Sequence, residues 1–301
     1  MLEIRSASDA VTVDAPAKVN LTLRVLGVRD DGYHELESVV AAVGLFDRLE
    51  LQPSRKLSLW CEGVDVPAGD DNLVMKAARL LKQATGAASG AAMRLEKRIP
   101  AGRGFGGGSS DAAAALAGLN VLWGCGLGPR ELADLGARVG SDVPLFFGSP
   151  VCIMRGRGER IAPVTGQAAW WAALGWPSYG LPTVDVYKAY DRLPHTPGTM
   201  PGATEILAWL DGPAGEAAPL LVNDLERAAR SVRANGISVR TVFEKAGAPA
   251  VGMTGSGSAY FALADTEAEA ERLAAAARAA GIETAVAPMV RAGKSQKESR
   301  S

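Results

Sequence analysis

The sequence predicts a fold that mixes α-helices with β-strands, of the α/β or α+β class. Runs that alternate apolar and polar residues, such as 11–28, are typical of half-buried strands. Segments with apolar residues three and four positions apart, such as 128–140, are typical of amphipathic helices. Because the two patterns interleave along the chain, we expect helices packed on sheets.

Length and composition leave room for two domains. The 301 residues suffice for one large domain or two ordinary ones, and 48% of them are hydrophobic, so a full core is available. The formal net charge is −1, which gives no electrostatic reason to expect nucleic acid or a membrane as partner. The composition therefore predicts neither of these partners, and it says nothing about the oligomeric state.

The cysteines and histidines argue against a disulfide framework and a zinc site. The chain has three cysteines, which lie far apart without C-x-x-C spacing, and two histidines. This usage fits a reducing compartment. The first twenty residues lack the basic and apolar segments of a signal peptide, and no run of about 18 apolar residues occurs. We therefore expect a soluble, cytoplasmic protein.

The first half reads as a sheet with three helices. A hairpin is expected around a turn at Asp31 and Gly32, with Lys18 and Asn20 on the polar face of its first strand. Further strands are expected at 47–52, 56–62 and 91–99, and helices at 71–86, 111–124 and 128–140.

The second half changes in character near residues 155–170. A buried strand within 168–183 is followed by predicted helices at 183–193, 203–212, 223–233 and 266–281, and a glycine–serine loop leads into a strand within 250–265. The polar tail is expected to be disordered. We predict an N-terminal domain over 1–165, a C-terminal domain over 166–290 and a disordered tail over 291–301.

A glycine-rich loop is the strongest chemical signal. Five of the seven residues 102–108 are glycine, and two serines follow before a predicted helix. Bare backbone N–H groups at a helix N-terminus form a cradle for phosphate, capped here by Ser109 and Ser110. The alternative is a flexible turn in which Ser110 or Asp111 is an ordinary N-cap.

Two better-known nucleotide motifs do not fit this loop. It satisfies G-x-G-x-x-G, but no acid follows about 20 residues later to hold a ribose hydroxyl. The G-x-x-x-x-G-K-[ST] pattern fails at the only G-K-S, because Pro288 stands where its first glycine is required.

Three motifs together resemble the GHMP kinases. They are "APAKVNLTLRV" (15–25), the loop "PAGRGFGGGSSDAA" (100–113) and "GMTGSGSAYFAL" (252–263). The resemblance implies a two-domain α+β fold, with an N-terminal domain like that of a ribosomal protein and a ferredoxin-like C-terminal domain. It also implies an ATP-dependent small-molecule kinase that uses Mg²⁺, held mainly by phosphate oxygens and water.

"PAKVNL" (16–21) followed by "RDDGYHEL" (29–36) is similar to one branch of that family. The segments 71–74, 140–147 and 223–226 resemble the same branch. Its reaction transfers the γ-phosphate of ATP to the 2-hydroxyl of a cytidine-linked methylerythritol, in non-mevalonate isoprenoid precursor biosynthesis. The resemblance therefore implies this substrate, with ADP and the 2-phosphate as products.

The resemblance assigns roles to individual residues. Asp142 matches the catalytic aspartate, a carboxylate that accepts the hydroxyl proton, and Lys18 matches a lysine that orients it and offsets phosphoryl charge. By themselves, a turn aspartate and an exposed strand lysine would be the simpler interpretations. The implied substrate contacts are Asn20, Tyr33, His34, Thr183 and Tyr187, and Tyr187 stands where the family commonly has Phe.

The implied ATP site has two parts. Asn72, Leu73 and Lys97 match positions that line the adenine pocket. The phosphates are assigned to Pro100, Gly102, Gly104, Gly106, Gly107, Gly108, Ser109 and Ser110. Two residues depart from the branch. Arg103 stands where its members often have glycine, and Asp111 stands where asparagine is common.

Three other functions stay open at this point. One is a GHMP kinase for another alcohol, of the homoserine or mevalonate type, against which 29–36 argues. A second is a nucleotide-binding protein without catalysis, against which Lys18 and Asp142 together argue. The third is an RNA-binding module, which the charge of −1 disfavours.

Overall fold

The computed structural model describes residues 1–7, 9–164, 166, 168–194, 203–233 and 238–291. The tail predicted to be disordered, 291–301, lies outside the described residues except for Arg291. Within the described part, the strands form two sheets whose named pairs are antiparallel apart from one. The mixed class is thereby confirmed, as α+β rather than α/β, because consecutive parallel strands are not the rule.

The first sheet is built almost entirely by the first half of the chain. Among the described residues it has eight strands: β1 (Glu3–Ala7), β2 (Ala10–Asn20), β3 (Arg24–Val28), β4 (His34–Ser54), β5 (Ser58–Gly63), β6 (Gly90–Lys97), β7 (Val151–Gly156) and β8 (Arg160–Pro163). The central path runs β1-β2-β4-β6-β5, with β3 and β7 also paired to β4 and β8 paired to β7. Only β5 and β6 run parallel in this sheet.

The predicted hairpin is present, with two differences. Strand β3 pairs with the start of β4 across residues 29–33, as expected. The alternating run 11–28 is divided between β2 and β3, and the runs expected at 29–40 and 47–52 belong to one long strand, β4. The polar face of β2 is not exposed: Lys18 and Asn20 are buried, because this face looks into the interior of a cleft rather than into solvent.

Three helices and a 3-10 helix cover one face of the first sheet. They are α1 (Leu73–Thr85), α2 (Gly107–Leu122), α3 (Pro129–Val139) and the 3-10 helix Val143–Phe147. Helix α1 lies within the predicted range 71–86. Asn72 caps its start, with its Oδ1 accepting from the Val74 N–H, and Gly86 ends it with a left-handed φ of 70°. Pro129 is the first residue of α3, which lies within the predicted range 128–140.

Helix α2 begins four residues earlier than the sequence indicated. It starts at Gly107, inside the glycine run, and not at residue 111. Glycine is a poor helix former, yet here tertiary packing decides. A Cβ on Gly107 would lie only 2.9 Å from both the Ile99 Cγ2 and the Lys97 Nζ, so the first turn is pressed against β6 and the loop after it.

The second sheet belongs to the second half of the chain. Its strands are β9 (Trp171–Trp176), β10 (Ala250–Met253), β11 (Tyr260–Ala264) and β12 (Glu283–Pro288), in the order β10-β11-β9-β12. The helices of this half are α4 (Thr183–Arg192), α5 (Ala203–Asp211), the 3-10 helix Ala214–Leu220, α6 (Glu226–Val232), α7 (Val239–Lys245) and α8 (Glu267–Ala279).

One apolar cluster joins the two sheets. Ala17 and Val19 of β2 are buried in the same cluster as Trp170, Ala172 and Leu174. Phe105, from the glycine-rich loop, packs edge-on against Trp176 of β9, with ring centroids 5.8 Å apart. The glycine-rich loop is therefore anchored to both halves of the molecule by an aromatic side chain.

Over the residues that the structure describes, none of the helices combines the length and the apolar character needed to span a membrane.

Candidate active site

A cleft of about 850 Å³ opens between the glycine-rich loop, strand β2 and helix α4. A cleft of this size can hold two extended small molecules end to end. All but one of the predicted site residues line it: Lys18, Asn20, Tyr33, His34, Asn72, Leu73, Lys97, Pro100, Gly102, Gly104, Gly106, Gly107, Gly108, Ser109, Asp142, Thr183 and Tyr187. The exception is Ser110, which lies beneath the surface of the loop and is fully buried.

The glycine-rich loop reaches its shape through left-handed backbone angles. Gly102, Gly104 and Gly106 have φ angles of 66°, 92° and 72°, a region that other residues rarely enter. Gly106 is the N-cap of α2, so the cap contributes no side-chain hydrogen bond. The expectation that Ser109 and Ser110 cap the helix is therefore wrong, because both lie inside its first turn.

Two of these glycines are also required by close packing. A Cβ on Gly104 would overlap the carbonyl oxygen of Thr254, which lies in the loop between β10 and β11. A Cβ on Gly106 would stand 2.9 Å from the Lys18 Cγ. The Lys18 N–H donates to the Phe105 carbonyl at 2.9 Å, which fixes the loop against β2. The lysine and the loop are thus held in contact by the backbone itself.

Lys18 and Asp142 meet on one wall of the cleft. Lys18 is 4% exposed, and its Nζ lies 3.9 Å from the Asp142 Oδ2. Burial lowers the pKa of Lys18 below its usual value, while the nearby Asp142 carboxylate raises it by less. Asp142 precedes a 3-10 helix, but its side chain makes no capping hydrogen bond. Its carboxylate therefore faces the cleft instead of serving the turn.

Asn20 connects Lys18 to the second half of the chain. Its Oδ1 accepts from the Lys18 Nζ at 2.7 Å and from the Gly255 N–H at 2.9 Å, and its Nδ2 donates to the Ser38 Oγ at 2.8 Å. The Thr254 hydroxyl bridges the Asn20 Oδ1 and the Gly104 carbonyl at 3.2 and 3.0 Å. Asn20 is 2% exposed, so its amide serves mainly to position the lysine and the two loops.

Lys97 is held by two carboxylates below the glycine-rich loop. Its Nζ donates to the Asp47 Oδ2, and to the Asp111 Oδ2 at 2.9 Å. Burial by itself would lower the pKa of Lys97, but Asp111 and Asp47 together outweigh burial and raise it. Burial also raises the pKa of Asp111, against the opposing effect of Lys97. The Lys97 ammonium is thus neutralised by the protein rather than offered to a ligand.

Two buried oxygens near the loop have no partner in the described part of the chain. They are the Ser110 Oγ and the Asp111 Oδ1, both in the first turns of α2. Buried polar atoms are normally hydrogen-bonded, so these two oxygens are left for partners that the described protein atoms do not supply, such as water molecules.

The other wall of the cleft near the loop is formed by the start of α1. Asn72 uses its Oδ1 to cap this helix and its Nδ2 to donate to the Pro67 carbonyl at 2.7 Å. Leu73, partly exposed, presents its Cδ1 within 3.6 Å of the position of a Cβ on Gly108. This end of the cleft offers an apolar wall beside the loop.

Aromatic side chains gather at the opposite end of the cleft. Tyr33 precedes β4 and His34 is its first residue, so both line the cleft although they are neighbours in sequence. The Arg157 guanidinium lies 4.3 Å above one face of the Tyr33 ring, and Tyr33 is 56% exposed. Tyr187 lies one helical turn after Thr183 on α4, and burial strongly raises the pKa of its hydroxyl.

Several contacts at or beneath the cleft escaped the sequence analysis. Asp47 and Asp111 lie 50 and 14 positions from Lys97, and no local pattern shows that they meet its ammonium group. Ser256 contacts the Thr183 hydroxyl at 3.0 Å, and the glycine–serine composition of its loop was the available signal. Asp191 lies four residues after Tyr187, a helical spacing that places both on one face of α4.

Comparison with known proteins agrees with this geometry. The model described as "GHMP kinases N terminal domain" matches residues 72–149, and the model described as "GHMP kinases C terminal" matches residues 217–283. A kinase from Pelotomaculum thermopropionicum is 40% identical over 264 residues, covering 85% of this chain and 90% of that one. This chain is a GHMP kinase.

Two curated relatives of this GHMP kinase carry the same name. The Pelotomaculum protein and one from Gloeobacter violaceus, 38% identical over 97% of this chain and 98% of its own, are both named 4-diphosphocytidyl-2-C-methyl-D-erythritol kinase. A crystal structure of an enzyme of this kind is 37% identical with a TM-score of 0.80, covering 92% of this chain and 98% of that one. The chain is an ATP-dependent small-molecule kinase, as the resemblance implied.

More distant structures share only the fold. Homoserine kinase from Cytophaga hutchinsonii matches with a TM-score of 0.68 at 19% identity, over 97% of this chain and 98% of that one. The two-domain GHMP kinase fold expected from the motifs is therefore confirmed.

Proposed function

We propose that this GHMP kinase transfers the γ-phosphate of ATP to the 2-hydroxyl of 4-diphosphocytidyl-2-C-methyl-D-erythritol. The observation that carries the proposal is the arrangement of one continuous cleft, with a phosphate cradle at one end and aromatic side chains at the other. The Lys18–Asp142 pair lies along its wall. The names of the curated relatives support the choice of this substrate.

ATP enters with its base beside Leu73 and its phosphates on the glycine-rich loop. The N-terminus of α2 and the backbone N–H groups of the loop provide partial positive charge for the phosphates. We orient the γ-phosphate toward Lys18 and Asp142, because the loop adjoins Lys18 at Gly106 and Leu73 at Gly108. This orientation leaves the aromatic end of the cleft for the alcohol substrate.

The substrate places its cytosine among the aromatic residues of that end. Tyr33 has one face covered by Arg157, so its other face is available to stack on the base. His34 contacts the edge of the base, and Thr183 and Tyr187 contact the part of the substrate nearer to the phosphoryl group. We assign Asn20 to holding Lys18 rather than to the base, since its oxygen already accepts from Lys18 and Gly255.

In the transfer step, Asp142 accepts the proton of the 2-hydroxyl as its oxygen attacks the γ-phosphorus. The bond from this phosphorus to the bridging oxygen of ADP breaks, and ADP departs. Lys18 stabilises the negative charge that spreads over the phosphoryl oxygens and holds the carboxylate in place. The buried setting of Lys18 strengthens this interaction because water is excluded.

The proposal includes Mg²⁺ bound together with ATP. In the part of the chain that the structure describes, no group of three or more His, Cys, Asp or Glu side chains forms a metal centre. Mg²⁺ prefers oxygen ligands and keeps several waters, so phosphate oxygens suffice as its main ligands. Ser109 lines the cleft and would offer its hydroxyl oxygen from the protein side, whereas Ser110 is buried beneath the loop. The ion would supply charge neutralisation on the phosphates.

The separated cysteines Cys61, Cys125 and Cys152 are unpaired in the structure. Free thiols are usual in reducing compartments, which supports a cytoplasmic place of action as part of the proposal.

An ADP-release assay over a panel of alcohols tests the proposal. We expect ADP formation with Mg²⁺ and ATP only when 4-diphosphocytidyl-2-C-methyl-D-erythritol is added, and not with homoserine or mevalonate. Protein carrying Asp142→Asn, purified in the same way, measures contaminating kinase activity. Turnover of homoserine or mevalonate without turnover of the cytidine substrate would rule out the assigned substrate.

A further inference from the structure

His34 and Asp191 face one another at the aromatic end of the cleft. The His34 Nε2 lies 2.8 Å from the Asp191 Oδ1, and both residues line the cleft. An ionised carboxylate has oxygens that only accept hydrogen bonds, so the Nε2 must carry the proton of this bond. Asp191 belongs to the last turns of α4, whereas His34 begins β4, so the bond joins the two halves of the molecule.

Packing fixes the plane of the His34 ring. Its centroid lies 4.7 Å from that of Tyr187, with an angle of 31° between the planes, and Tyr190 contacts it edge-on at 6.1 Å and 82°. The side chain is 12% exposed. A ring held between two aromatic residues and a carboxylate has little freedom to flip, so its two nitrogens have distinct and fixed surroundings.

The second ring nitrogen is available to a ligand. Within the described residues, the His34 Nδ1 has no hydrogen-bond partner, while the residue as a whole lines the cleft. A neutral imidazole with its proton on Nε2 carries a lone pair on Nδ1. The nitrogen is then an acceptor and requires a donor from the ligand.

We propose that Asp191 is a positioning residue that holds His34 as the Nε2–H tautomer, so that Nδ1 accepts a hydrogen bond from the 4-amino group of cytosine. The proposal rests on the proposed function, which brings a cytidine nucleotide to this end of the cleft. Cytosine carries an amino donor at position 4, where uracil carries a carbonyl acceptor. An acceptor fixed at Nδ1 therefore selects cytosine and repels the uracil oxygen.

The tautomer is tested directly by long-range ¹H–¹⁵N spectra of histidine-labelled protein without substrate. The chain has two histidines, so the variant His195→Gln leaves the signal of His34 alone. We expect a protonated Nε2 and an unprotonated Nδ1, as the contact with the Asp191 carboxylate requires. Asp191→Ala should give a mixture of tautomers. A proton on Nδ1 in the unsubstituted site, alone or with Nε2–H, would overturn the proposal.

Kinetics test the consequence for recognition. Losing the bond that orients the ring should raise KM for the cytidine substrate about tenfold in Asp191→Ala, with kcat and KM for ATP within about twofold. Asp191→Asn should recover most of this loss, because its amide oxygen still accepts from Nε2–H. Asp185→Ala, an exposed acid in the first turn of the same helix that does not line the cleft, is the matched control.

The uridine-linked analogue of the substrate measures the choice of base. Unsubstituted enzyme should favour the cytidine compound by about a hundredfold in kcat/KM, and Asp191→Ala should reduce this preference to about tenfold. If Asp191→Ala lowers kcat, raises KM for both substrates by similar factors and lowers the melting temperature, the role of Asp191 is merely structural. Unchanged discrimination in Asp191→Ala would also contradict the proposal. If the cytidine substrate is not turned over at all, the proposed function is wrong. The spectra recorded without substrate still show which nitrogen of His34 carries the proton.

Discussion

At the residue scale, the cleft assigns different tasks to its two buried lysines. Lys97 is paired with Asp47 and Asp111, so its charge is spent within the protein. Lys18 has one carboxylate neighbour, Asp142, at 3.9 Å, and a neutral amide as its closer partner. Lys18 therefore retains charge that a phosphoryl group can use. The family motifs predicted both lysines as site residues, but only their neighbours in the structure distinguish the two tasks.

Replacing Asp142 by Asn should lower kcat about a thousandfold, because the amide cannot accept the proton of the attacking hydroxyl. Binding of a non-hydrolysable ATP analogue, measured by calorimetry, should change little. Asp134→Asn, at an exposed acid of α3, is the control for charge removal. A kcat close to that of the unsubstituted enzyme would show that Asp142 is not the base.

The lowered pKa of Lys18 predicts opposite effects of alkaline pH on activity and on stability. As the pH rises through this pKa, below the usual 10.5, the ammonium loses its proton and kcat/KM should fall. In the same window the unfolded chain holds more protons at this site than the folded chain. The contribution of Lys18 to the free energy of unfolding therefore rises with pH.

Unfolding titrations from about pH 8 to the usual lysine pKa measure the second effect. Lys97 acts in the opposite direction at the top of this window, because its pKa is raised in the folded chain and the unfolded chain loses this proton first. The Lys18 contribution is therefore the difference between the unsubstituted protein and the Lys18→Met variant. The Lys18→Met variant should lack the rise. A kcat/KM that stays level across this window would contradict a charged Lys18 in the reaction.

At the element scale, the loop 102–108 is held in place by contacts with β2 on one side and with the loop after β10 on the other. Gly102 and Gly104 both have positive φ, but only Gly104 lies against another backbone segment. The sequence predicted the phosphate cradle from composition, and it placed the helix start too late. Helix propensity disfavours glycine, so it could not show that packing against Ile99 and Lys97 allows α2 to begin at Gly107.

A pair of alanine substitutions separates backbone strain from steric overlap. Gly102→Ala, with nothing within 4 Å of its new Cβ, should cost about 1 kcal/mol of stability from the left-handed angle alone. Gly104→Ala should cost about 3 kcal/mol or more, because its Cβ also displaces the Thr254 carbonyl. Urea unfolding measures both. Equal losses would show that the contact with Thr254 does not constrain the loop.

The same comparison has a functional side. Gly104→Ala should raise KM for ATP more than Gly102→Ala, because displacing Thr254 disturbs the bonds to Asn20 and hence Lys18. A normal KM for ATP in a folded Gly104→Ala protein would separate loop shape from nucleotide binding.

Other elements were predictable to different degrees. Helices α1 and α3 have caps and apolar periods within their own sequences, so their bounds follow from local chemistry. The burial of Lys18 and Asn20 could not be predicted in this way, since an alternating strand predicts an exposed polar face. That face is covered by residues more than 80 positions away, which no local pattern contains.

At the scale of the whole molecule, the two predicted domains share a core. The division at residue 165 stays a prediction, and the first sheet ends before it while the second begins after it. The cluster that contains Val19 and Trp170 nevertheless crosses the division, as does the contact of Phe105 with Trp176. The two parts bury apolar surface against one another that each would expose alone.

We therefore expect a single cooperative unfolding transition. The six tryptophans are distributed over both predicted domains, with Trp60 and Trp123 in the first. Urea transitions followed by tryptophan fluorescence and by circular dichroism should coincide. Phe105→Ala should lower the common midpoint, by about 3 kcal/mol in free energy of unfolding, and leave one transition. Two resolved transitions would show that the domains are independent.

The Asn20 amide has a consequence for how such enzymes can be recombined. Its oxygen accepts hydrogen bonds from the Lys18 Nζ and from the Gly255 N–H. Lys18 is therefore held in part by a loop that lies more than 230 positions later in the chain. A chimera that joins the first half of this chain to the second half of a relative would inherit a complete phosphate cradle. It would phosphorylate efficiently only if the loop from the relative again donates its N–H to the Asn20 oxygen. The activity therefore depends on both halves of one chain together.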